Sequence, residues 1–386
     1  MKLNKSLVVF TGGGTGGHIY PGIAVADEIK QLAQNNNCDL KIVWLGCSTG
    51  MDCSIVKRAS SIDRFYGIPS GKLRRYFSFK NFTDLFRIFF GFVKSYFILK
   101  KLKPCALFSK GGFVSVPPVI SARLLKIPVY THECDFTLGL ANKINFKSAK
   151  KMFVSYEETK LSLSGAVQNR VIVTGNPVRP VFYNADPQKG YDFLNLKKET
   201  LSKPVLLVLG GSSGAIQINE LVQNSLEWLC KNFIVIHQTG LVNCNQKEEN
   251  ELQQKFSGEY KPYPFIYEQM PDVLACADVI LSRAGANSIW EAAVLKKPMV
   301  LVPLCGSGTR GDQVDNARFF EQKNAAKILV GNDVTSENLI KMLSDFLDAG
   351  TRKSYSDAVE KMCGTEKPAR KIAEIIFEET KKDGNE

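Results

Sequence analysis

The sequence predicts an α/β fold made of two doubly wound halves, and two glycine-rich turns are the main reason. Gly-Gly-Gly-Thr-Gly-Gly-His at residues 12–18 follows an apolar run at residues 7–10, and Gly-Gly-Ser-Ser-Gly at residues 210–214 follows an apolar run at residues 205–209. Glycine lets backbone N–H groups approach an anion, and the N-terminus of the following helix adds positive potential there. The repeated strand, turn and helix therefore predict two Rossmann-like domains facing a central cleft, with phosphate as the first ligand to consider.

Composition describes an ordinary globular chain with excess positive charge. The 386 residues suit about two domains, and 44% hydrophobic with 23% charged residues argue against extensive disorder. Ten cysteines form no Cys-x-x-Cys pair and only three histidines accompany them, so we expect reduced thiols and no metal cluster. The net charge of +12 predicts attraction to nucleic acid, anionic lipid or a phosphorylated substrate. No signal-peptide core follows residues 1–5, so we expect a cytoplasmic chain.

Strand-length apolar runs alternate with helix-like stretches in both halves, which is typical of parallel sheets covered on both faces. The runs lie at residues 41–45, 105–108, 128–131, 152–154, 171–173, 233–236, 279–281 and 299–302. A polar stretch at residues 184–203 separates the halves, so we predict an N-terminal domain over 1–178 and a C-terminal domain over 179–365, with Arg179 at the hinge. A terminal helix beginning near Pro368 has an apolar face, and residues 366–386 are expected to pack on an apolar surface, with the first domain as the candidate.

The first turn also matches Gly-x-Gly-x-x-Gly at Gly12, Gly14 and Gly17, which makes a dinucleotide site worth testing. That site needs an acidic residue about 20 residues further on, after the second strand. Here the second strand is followed by Gly46 and Cys47, and the next acid is Asp52. The mismatch argues against a dehydrogenase.

His18 ends the first turn, where an imidazole can act as a general base or donate to a phosphate. A capping or merely packed histidine is the alternative, and the flanking glycines favour function. Two further segments follow strands and should reach the same sheet edge: Lys110-Gly-Gly at residues 110–112 and Thr-His-Glu-Cys-Asp at residues 131–135. His132 and Glu133 could take part in the chemistry or only hold the loops by hydrogen bonds.

In the second half, Glu291 lies in the helix expected after the glycine turn of residues 282–286. A carboxylate beside phosphate-seeking groups suits the two hydroxyls of a ribose, because it can accept from both. The apolar residues around Glu291 make a solvated surface role less favoured.

The segment from residue 67 to 103 combines Lys72, Arg74 and Arg75 with aromatic residues, and then an apolar run over residues 82–99. Charges interrupt that run, so it cannot supply the roughly 20 apolar residues that span a bilayer. Two interpretations stay open: an interfacial helix on anionic lipid, or a core helix with one exposed polar stripe.

These segments together resemble the MurG family within glycosyltransferase family 28, over nearly the whole chain. The resemblance is carried by Gly-Gly-Thr-Gly-Gly-His-Ile-Tyr-Pro at 13–21, Gly-Gly-Phe-Val-Ser-Val-Pro-Pro at 111–118, His132-Glu133, Gly-Asn-Pro-Val-Arg at 175–179, Gly-Gly-Ser-Ser-Gly-Ala at 210–215, Ser-Arg-Ala-Gly-Ala at 282–286 with Glu291, and Asp312-Gln313 before Asn316-Ala317. It implies the two-domain GT-B fold and transfer of N-acetylglucosamine (GlcNAc) from UDP-GlcNAc to the C4 hydroxyl of N-acetylmuramic acid (MurNAc) in lipid I, undecaprenyl-pyrophosphoryl-MurNAc-pentapeptide. The product is lipid II for peptidoglycan synthesis.

The resemblance also implies roles for individual residues. Glu291 would bind the donor ribose, Ser213 the pyrophosphate, Arg179 the donor at the hinge and Gln313 the sugar hydroxyls. Thr15, Gly16 and Gly17 would take the acceptor pyrophosphate or the sugar end of the donor. His18 is the favoured base, and Glu133 is the alternative.

This chain departs from the family pattern at two places. Cys134 and Asp135 follow His-Glu where Gln-Asn is common, so Asp135 would replace a donor-side amide, and Asp312 stands where a glutamine is common. The reaction implied is one inverting displacement, with no metal or cofactor if Arg179 and backbone dipoles offset the leaving charge. The acceptor and the basic, aromatic segment imply an anionic membrane surface as a partner, at the cytoplasmic face of the inner membrane.

Two other classes of function are compatible with parts of the sequence. Another UDP-sugar enzyme, such as a diacylglycerol glycosyltransferase or a UDP-GlcNAc epimerase, would keep the fold and change the substrate. A basic binder of RNA or lipid would explain the charge but not two phosphate turns, so we expect no nucleic-acid partner.

Overall fold

The computed structural model describes residues 6–71, 79–211, 213–243, 245–306 and 309–382. The chain forms two compact units, Met1–Arg179 with Glu366–Glu386, and Pro180–Thr365. Arg179 thus belongs to the first unit, one residue beyond the boundary predicted from sequence. The basic residues Lys72, Arg74 and Arg75 lie outside the described ranges.

The first unit is built on a seven-stranded parallel sheet with the order β3-β2-β1-β4-β5-β6-β7. Its strands are β1 (Ser6–Thr11), β2 (Leu40–Cys47), β3 (Arg64–Ile68), β4 (Ala106–Ser109), β5 (Val129–Glu133), β6 (Lys151–Val154) and β7 (Val171–Val173). The chain runs outward from β1 to β3 and then returns to β4 on the other side of β1. Ligands of open α/β sheets bind at such a switch point, beyond the carboxyl ends of the strands. Glycine segments follow both β1 and β4.

The second unit repeats the plan with a six-stranded parallel sheet in the order β10-β9-β8-β11-β12-β13. Its strands are β8 (Val205–Leu209), β9 (Ile234–Gln238), β10 (Tyr260–Tyr263), β11 (Val279–Ser282), β12 (Met299–Leu301) and β13 (Ala326–Ile328). The second glycine turn follows β8, which lies next to the switch to β11. The predicted α/β fold of two doubly wound, Rossmann-like halves is therefore confirmed.

Helices cover both sheets. They are α1 (Tyr20–Asn35), α2 (Asp52–Val56), α3 (Phe79–Leu102), α4 (Val116–Leu124), α5 (Leu140–Phe146), α6 (Glu157–Leu161), α7 (Gly165–Gln168), α8 (Pro180–Tyr183), α9 (Pro187–Phe193), α10 (Ile216–Asn232), α11 (Gln246–Lys255), α12 (Met270–Cys276), α13 (Ala286–Val294), α14 (Asp312–Gln322), α15 (Ser336–Asp345), α16 (Ala349–Cys363) and α17 (Pro368–Lys382). Among the described residues, none of these helices is both long enough and apolar enough to cross a membrane.

Alternation along the buried strands fills a core on each face of the first sheet, because successive side chains point to opposite faces. Phe10 and Trp44 stack at 5.9 Å between ring centroids on one face, whereas Val9 and Leu45 belong to the cluster on the other. In the second unit, Val208 of β8 packs in one cluster with residues of α10 and α15. The core of each unit is thus sufficient to fix its own sheet.

The C-terminal helix α17 completes the first unit. Ile372 and Ile376 are fully buried in the cluster that holds Phe10 and Trp44, and α17 packs along α1. Glu379 accepts a hydrogen bond from the Tyr130 hydroxyl at 2.7 Å and pairs with lysines at the start of β6. Desolvation opposes its ionisation, but the bonds from Lys151, Tyr130 and Lys150 outweigh it and bring the pKa of Glu379 to about 2.

We predict that Ile376→Ala destabilises the first unit by about 2–5 kcal/mol, because it leaves a cavity between α1, α17 and the sheet. Ile375→Ala, at a half-buried position on the same helix, is the matched control and should cost about 1 kcal/mol. Urea unfolding, with hydrogen exchange of the β1 and β2 amides as the probe of the first unit, measures the free energy of unfolding of both variants. Equal effects of the two substitutions would contradict this packing.

Candidate functional site

The first glycine turn is held by a buried carboxylate. Asp52, which is 1% exposed, accepts hydrogen bonds from the N–H groups of Gly14 at 2.9 Å and Cys47 at 2.8 Å. Burial raises the pKa of Asp52, and these two backbone bonds oppose the rise. A Cβ on Gly13 would lie 1.8 Å from a carboxylate oxygen of Asp52, so only glycine fits beside it. The turn is therefore fixed from below by a side chain that α2 supplies.

His18 closes the short 3-10 turn Gly16–His18, directly before α1. Its Nδ1 lies 2.9 Å from the hydroxyl of Thr15, which is exposed, while His18 is half-buried. A hydroxyl on one ring nitrogen selects the tautomer and the ring orientation, and so decides which nitrogen carries the lone pair. Thr15 and His18 therefore form one orienting pair at the edge of the sheet.

The second glycine pair packs against this histidine. Gly112 has φ +76, and a Cβ there would lie 2.9 Å from the carbonyl oxygen of Gly13 and 3.2 Å from Cγ of His18. Gly111 has φ +87, and its Cβ would lie 2.7 Å from the side-chain amide of Asn142. Positive φ and close approach both require glycine. The segments after β1 and β4 are thus brought together.

Glu133, at the end of β5, is 4% exposed and holds the next loop. One carboxylate oxygen accepts from the N–H groups of Cys134 at 3.0 Å and Asp135 at 3.2 Å. The other accepts from the Gly139 N–H at 2.8 Å and the Asn142 amide at 3.1 Å. These four contacts match the loop-holding alternative that the sequence left open for Glu133.

His132 is fully buried, and its Nε2 lies 3.0 Å from the carbonyl oxygen of Gly175. Burial and the nearby charge of Lys110 pull the pKa of His132 well below its usual value, so the ring is neutral. A neutral ring that donates to Gly175 ties β5 to the segment after β7.

The Tyr20 ring connects Arg179 to the first glycine turn. Its guanidinium carbon is 4.6 Å from the ring centroid of Tyr20, the first residue of α1. A Cβ on Gly16 would lie 3.2 Å from the same ring, so Gly16, Tyr20 and Arg179 are layered. Arg179 therefore belongs with Thr15, Gly16, Gly17 and His18 at this edge of the first unit.

Ligand atoms of Glu133, Cys134 and Asp135 lie within 4.8 Å of one another, which raises the question of a metal. Burial is the largest of the effects that raise the pKa of the Cys134 thiol to about 12, whereas metals bind thiolates. A cation would also have to displace the hydrogen bonds that the Glu133 carboxylate accepts. The donor set does not suit a metal centre.

In the second unit, the glycine turn after β8 is enclosed by the loop after β9. Gly214 has φ +82 and Gly240 has φ +102, and a Cβ on Gly240 would lie 2.1 Å from Cα of Gly214. The Asn243 side chain donates to the Gly214 carbonyl at 2.9 Å, and its N–H donates to the Ser213 carbonyl at 3.0 Å. Ser213 is left exposed at the start of the α10 segment.

Glu291 and Gln313 lie on neighbouring helices of the second unit. Trp290 of α13 packs edge-on against Phe320 of α14, with ring centroids 5.7 Å apart. Glu291 is half-buried in α13, and Gln313, in the first turn of α14, accepts from the Leu304 N–H at 2.9 Å. Both helices begin beyond the carboxyl edge of the sheet, where the Ser213 turn also lies.

Comparison with known families identifies the enzyme class of the chain. Residues 8–154 match the glycosyltransferase family 28 N-terminal domain, and residues 205–375 match its C-terminal domain. A curated relative from Treponema denticola, named UDP-N-acetylglucosamine--N-acetylmuramyl-(pentapeptide) pyrophosphoryl-undecaprenol N-acetylglucosamine transferase, is 49% identical over 96% of both chains. The chain belongs to glycosyltransferase family 28.

Other curated relatives and solved structures match nearly the whole chain. A Bacillus cereus transferase of the same printed name is 39% identical over 93% of this chain and 96% of its own. The crystal structure of Acinetobacter baumannii MurG is 26% identical with a TM-score of 0.71, over 97% of this chain and 100% of that one. A Neisseria meningitidis UDP-GlcNAc 2-epimerase, at 18% identity and TM-score 0.63 over 98% and 100% of the two chains, shares the fold. The family resemblance inferred from the sequence is confirmed.

Sequence reasoning missed three of the residues that shape the family 28 site here. Asp52 was considered only as the acidic residue of a dinucleotide site, although it begins the helix that follows β2. Gly240 and Asn243 lie in the loop after β9, and a glycine soon after a buried strand was the signal that could have found them.

We predict that Asp52→Asn loosens the first turn of this family 28 chain, because an amide cannot accept from both the Gly14 and Cys47 N–H groups. An unsatisfied buried N–H costs about 1–3 kcal/mol, so amide exchange of residues 12–18 should speed up about 5- to 150-fold. The control is Asp39→Asn, an exposed side chain before β2. Unchanged exchange in a folded Asp52→Asn protein would refute the role of Asp52.

Proposed function

We propose that this chain transfers GlcNAc from UDP-GlcNAc to the C4 hydroxyl of MurNAc in undecaprenyl-pyrophosphoryl-MurNAc-pentapeptide, forming lipid II for peptidoglycan synthesis. The full-length relationship to the Treponema denticola enzyme of that name, at 49% identity, carries the proposal. The epimerase alternative has only the shared fold in its favour.

The proposal assigns the donor to the second unit. Ser213 and its neighbouring backbone N–H groups suit the pyrophosphate, because the turn opens α10 at the helix end with positive potential. In this proposal the half-buried Glu291 accepts from the ribose hydroxyls, and the Gln313 amide contacts the sugar. Arg179, a permanent cation, would offset charge on the leaving UDP.

The proposal assigns the acceptor and the base to the first unit, with Thr15, Gly16 and Gly17 bordering the acceptor pyrophosphate. When Nδ1 of His18 donates to Thr15, Nε2 carries the lone pair that a general base needs. Nε2 takes the proton of the C4 hydroxyl while the hydroxyl oxygen forms a bond to the anomeric carbon of GlcNAc. The bond between that carbon and the UDP oxygen breaks in the same step. The displacement inverts the α-linkage to β.

Glu133 is the weaker candidate for the base, because its carboxylate already accepts four hydrogen bonds. Taking a proton there would weaken the contacts that order residues 133–142. Asp135, half-buried in that loop, is retained as a substrate contact whose carboxylate replaces an amide common in the family.

Helix α3 supports a place at a membrane surface. Its large apolar side chains are exposed on one face, which we name the α3 ridge: Phe82, Leu85, Phe86, Phe89 and Phe90, each between 51% and 67% exposed. Asp84, Gly91 and Ser95 are buried instead. Arg87, Lys94 and Lys101 are exposed, as the alternative of a core helix with an exposed polar stripe expects, but the α3 ridge is exposed beside them. An apolar ridge on a basic chain fits the cytoplasmic surface of an anionic membrane.

The reaction is tested by transfer of radiolabelled GlcNAc from UDP-GlcNAc to a lipid I analogue, with EDTA present. We expect lipid II product from the native chain, and about 100-fold or more loss of kcat in His18→Ala with UDP affinity kept within about twofold. Glu291→Ala is the matched variant in the second unit and should weaken UDP binding by about tenfold.

Each outcome of that assay separates two parts of the proposal. UDP binding without transfer to lipid I would overturn the assignment of lipid I as the acceptor and keep the assignment of UDP-GlcNAc as the donor. Near-full turnover by His18→Ala would reject the base, and intact UDP affinity in Glu291→Ala would reject the ribose contact.

We predict that Phe86→Ser with Phe89→Ser weakens binding to phosphatidylglycerol vesicles by about tenfold or more, because full burial of each ring in the lipid would contribute about 1.5–3 kcal/mol. Leu140→Ser with Leu161→Ser is the control, since both leucines are exposed on other helices of the same unit. Vesicle flotation measures binding. Equal losses in the two double variants would mean that the α3 ridge is not the docking face.

A further inference from the structure

A cavity that is widely open to solvent lies in the first unit, at the edge of the sheet opposite the glycine turns. It has a volume of about 460 Å³ and is bounded by the end of α4 and by the residues just before β5, β6 and β7. Because the strands are parallel, this amino edge is separated from Glu133 by the length of β5, about 13 Å at 3.3 Å per residue. Its volume falls in the range of small-molecule sites.

The lining is strongly basic. It includes Arg123, Lys126, Lys147, Lys150 and Arg170, and none of the residues that line it is acidic. Lys150 pairs with Glu379 at 3.1 Å. Within the described residues, the other four cations have no carboxylate within 4.0 Å. Four like charges gathered without counter-charges of their own favour an anion between them.

One of the cations is already oriented. The Arg170 guanidinium donates to the Ala149 carbonyl at 3.0 Å and lies over the Phe146 ring, 4.7 Å from its centroid. A fixed, planar guanidinium matches the oxygens of a phosphate and loses little side-chain entropy on binding. The Ser148 hydroxyl, which also lines the cavity, adds a neutral donor.

The apolar part of the lining limits the ligand. Ile127, Pro128 and Val129 contribute it, and the ring of Phe146 is covered by Arg170. No aromatic side chain lines the cavity for a base to stack on, which disfavours single-stranded nucleic acid. We propose that this cavity is a second anion site, which binds a compact group carrying one or two phosphates, and which is separate from the site of sugar transfer.

The test uses the full chain with saturating UDP, so that the donor turn is occupied, and titrates inorganic pyrophosphate by calorimetry at low salt. We expect saturable binding that Lys126→Glu with Lys147→Glu weakens by about tenfold or more. Lys57→Glu with Arg58→Glu is the control, because it makes the same charge change on exposed residues of the same unit. The control should change affinity by less than about twofold.

A second arm distinguishes the source of the phosphate. Flotation with phosphatidylglycerol vesicles compares the same two double variants. Loss of vesicle binding specific to the cavity variant assigns the site to a lipid headgroup, and loss of pyrophosphate binding alone assigns it to a soluble phosphorylated ligand. Transfer to a soluble lipid I analogue should stay within about twofold in both variants, since neither touches the transfer site.

The proposal is overturned if the native chain shows no saturable pyrophosphate binding under UDP and the two double variants float alike. It is also overturned if both variants lose pyrophosphate affinity equally, because the effect would then be net charge. The cavity site does not depend on the proposed reaction, so either can fail alone.

Discussion

The first unit depends on backbone distances that only glycine allows. Gly13 sits against the carboxylate of Asp52, and Gly112 sits against the carbonyl of Gly13 and the ring of His18. A methyl group on Gly13 would displace the first turn from Asp52, and one on Gly112 would separate the segments after β1 and β4. His18 and its Thr15 partner are positioned by these contacts.

The second unit uses the same principle with different partners. There the close pair is Gly214 and Gly240, and Asn243 donates hydrogen bonds to carbonyl groups of the turn, whereas Asp52 accepts hydrogen bonds from N–H groups in the first unit. An amide rather than a carboxylate next to this turn has an electrostatic consequence. A buried negative charge would oppose a bound pyrophosphate, whereas a neutral amide leaves the positive end of α10 uncompensated. We therefore expect the turn in the second unit to be the better anion site of the two.

The fold class followed from sequence because its signals are local. An apolar run followed by glycines identifies a buried strand and its turn within about ten residues. Contacts between distant segments carry no such signal. Nothing near Asp52 in the sequence indicates Gly14, and nothing near Glu133 indicates that four donors converge on it. The alternatives left open for Glu133 could be separated only by counting those donors, and the assignment of individual site residues remains a prediction.

Helix α3 shows the same limit from another side. Periodicity shows which residues share a face, but it does not show which face packs against the protein. Asp84 and Gly91 are inward because the helix approaches the chain closely: a Cβ on Gly91 would lie 2.2 Å from the carbonyl oxygen of Pro69. A bulky side chain could not occupy that position, so the phenylalanines are left on the outer face. The close approach at Gly91 keeps a bulky side chain off the inner face at that position, and the α3 ridge is exposed. An apolar face left in water for that reason is energetically costly unless something else covers it, and a lipid surface would.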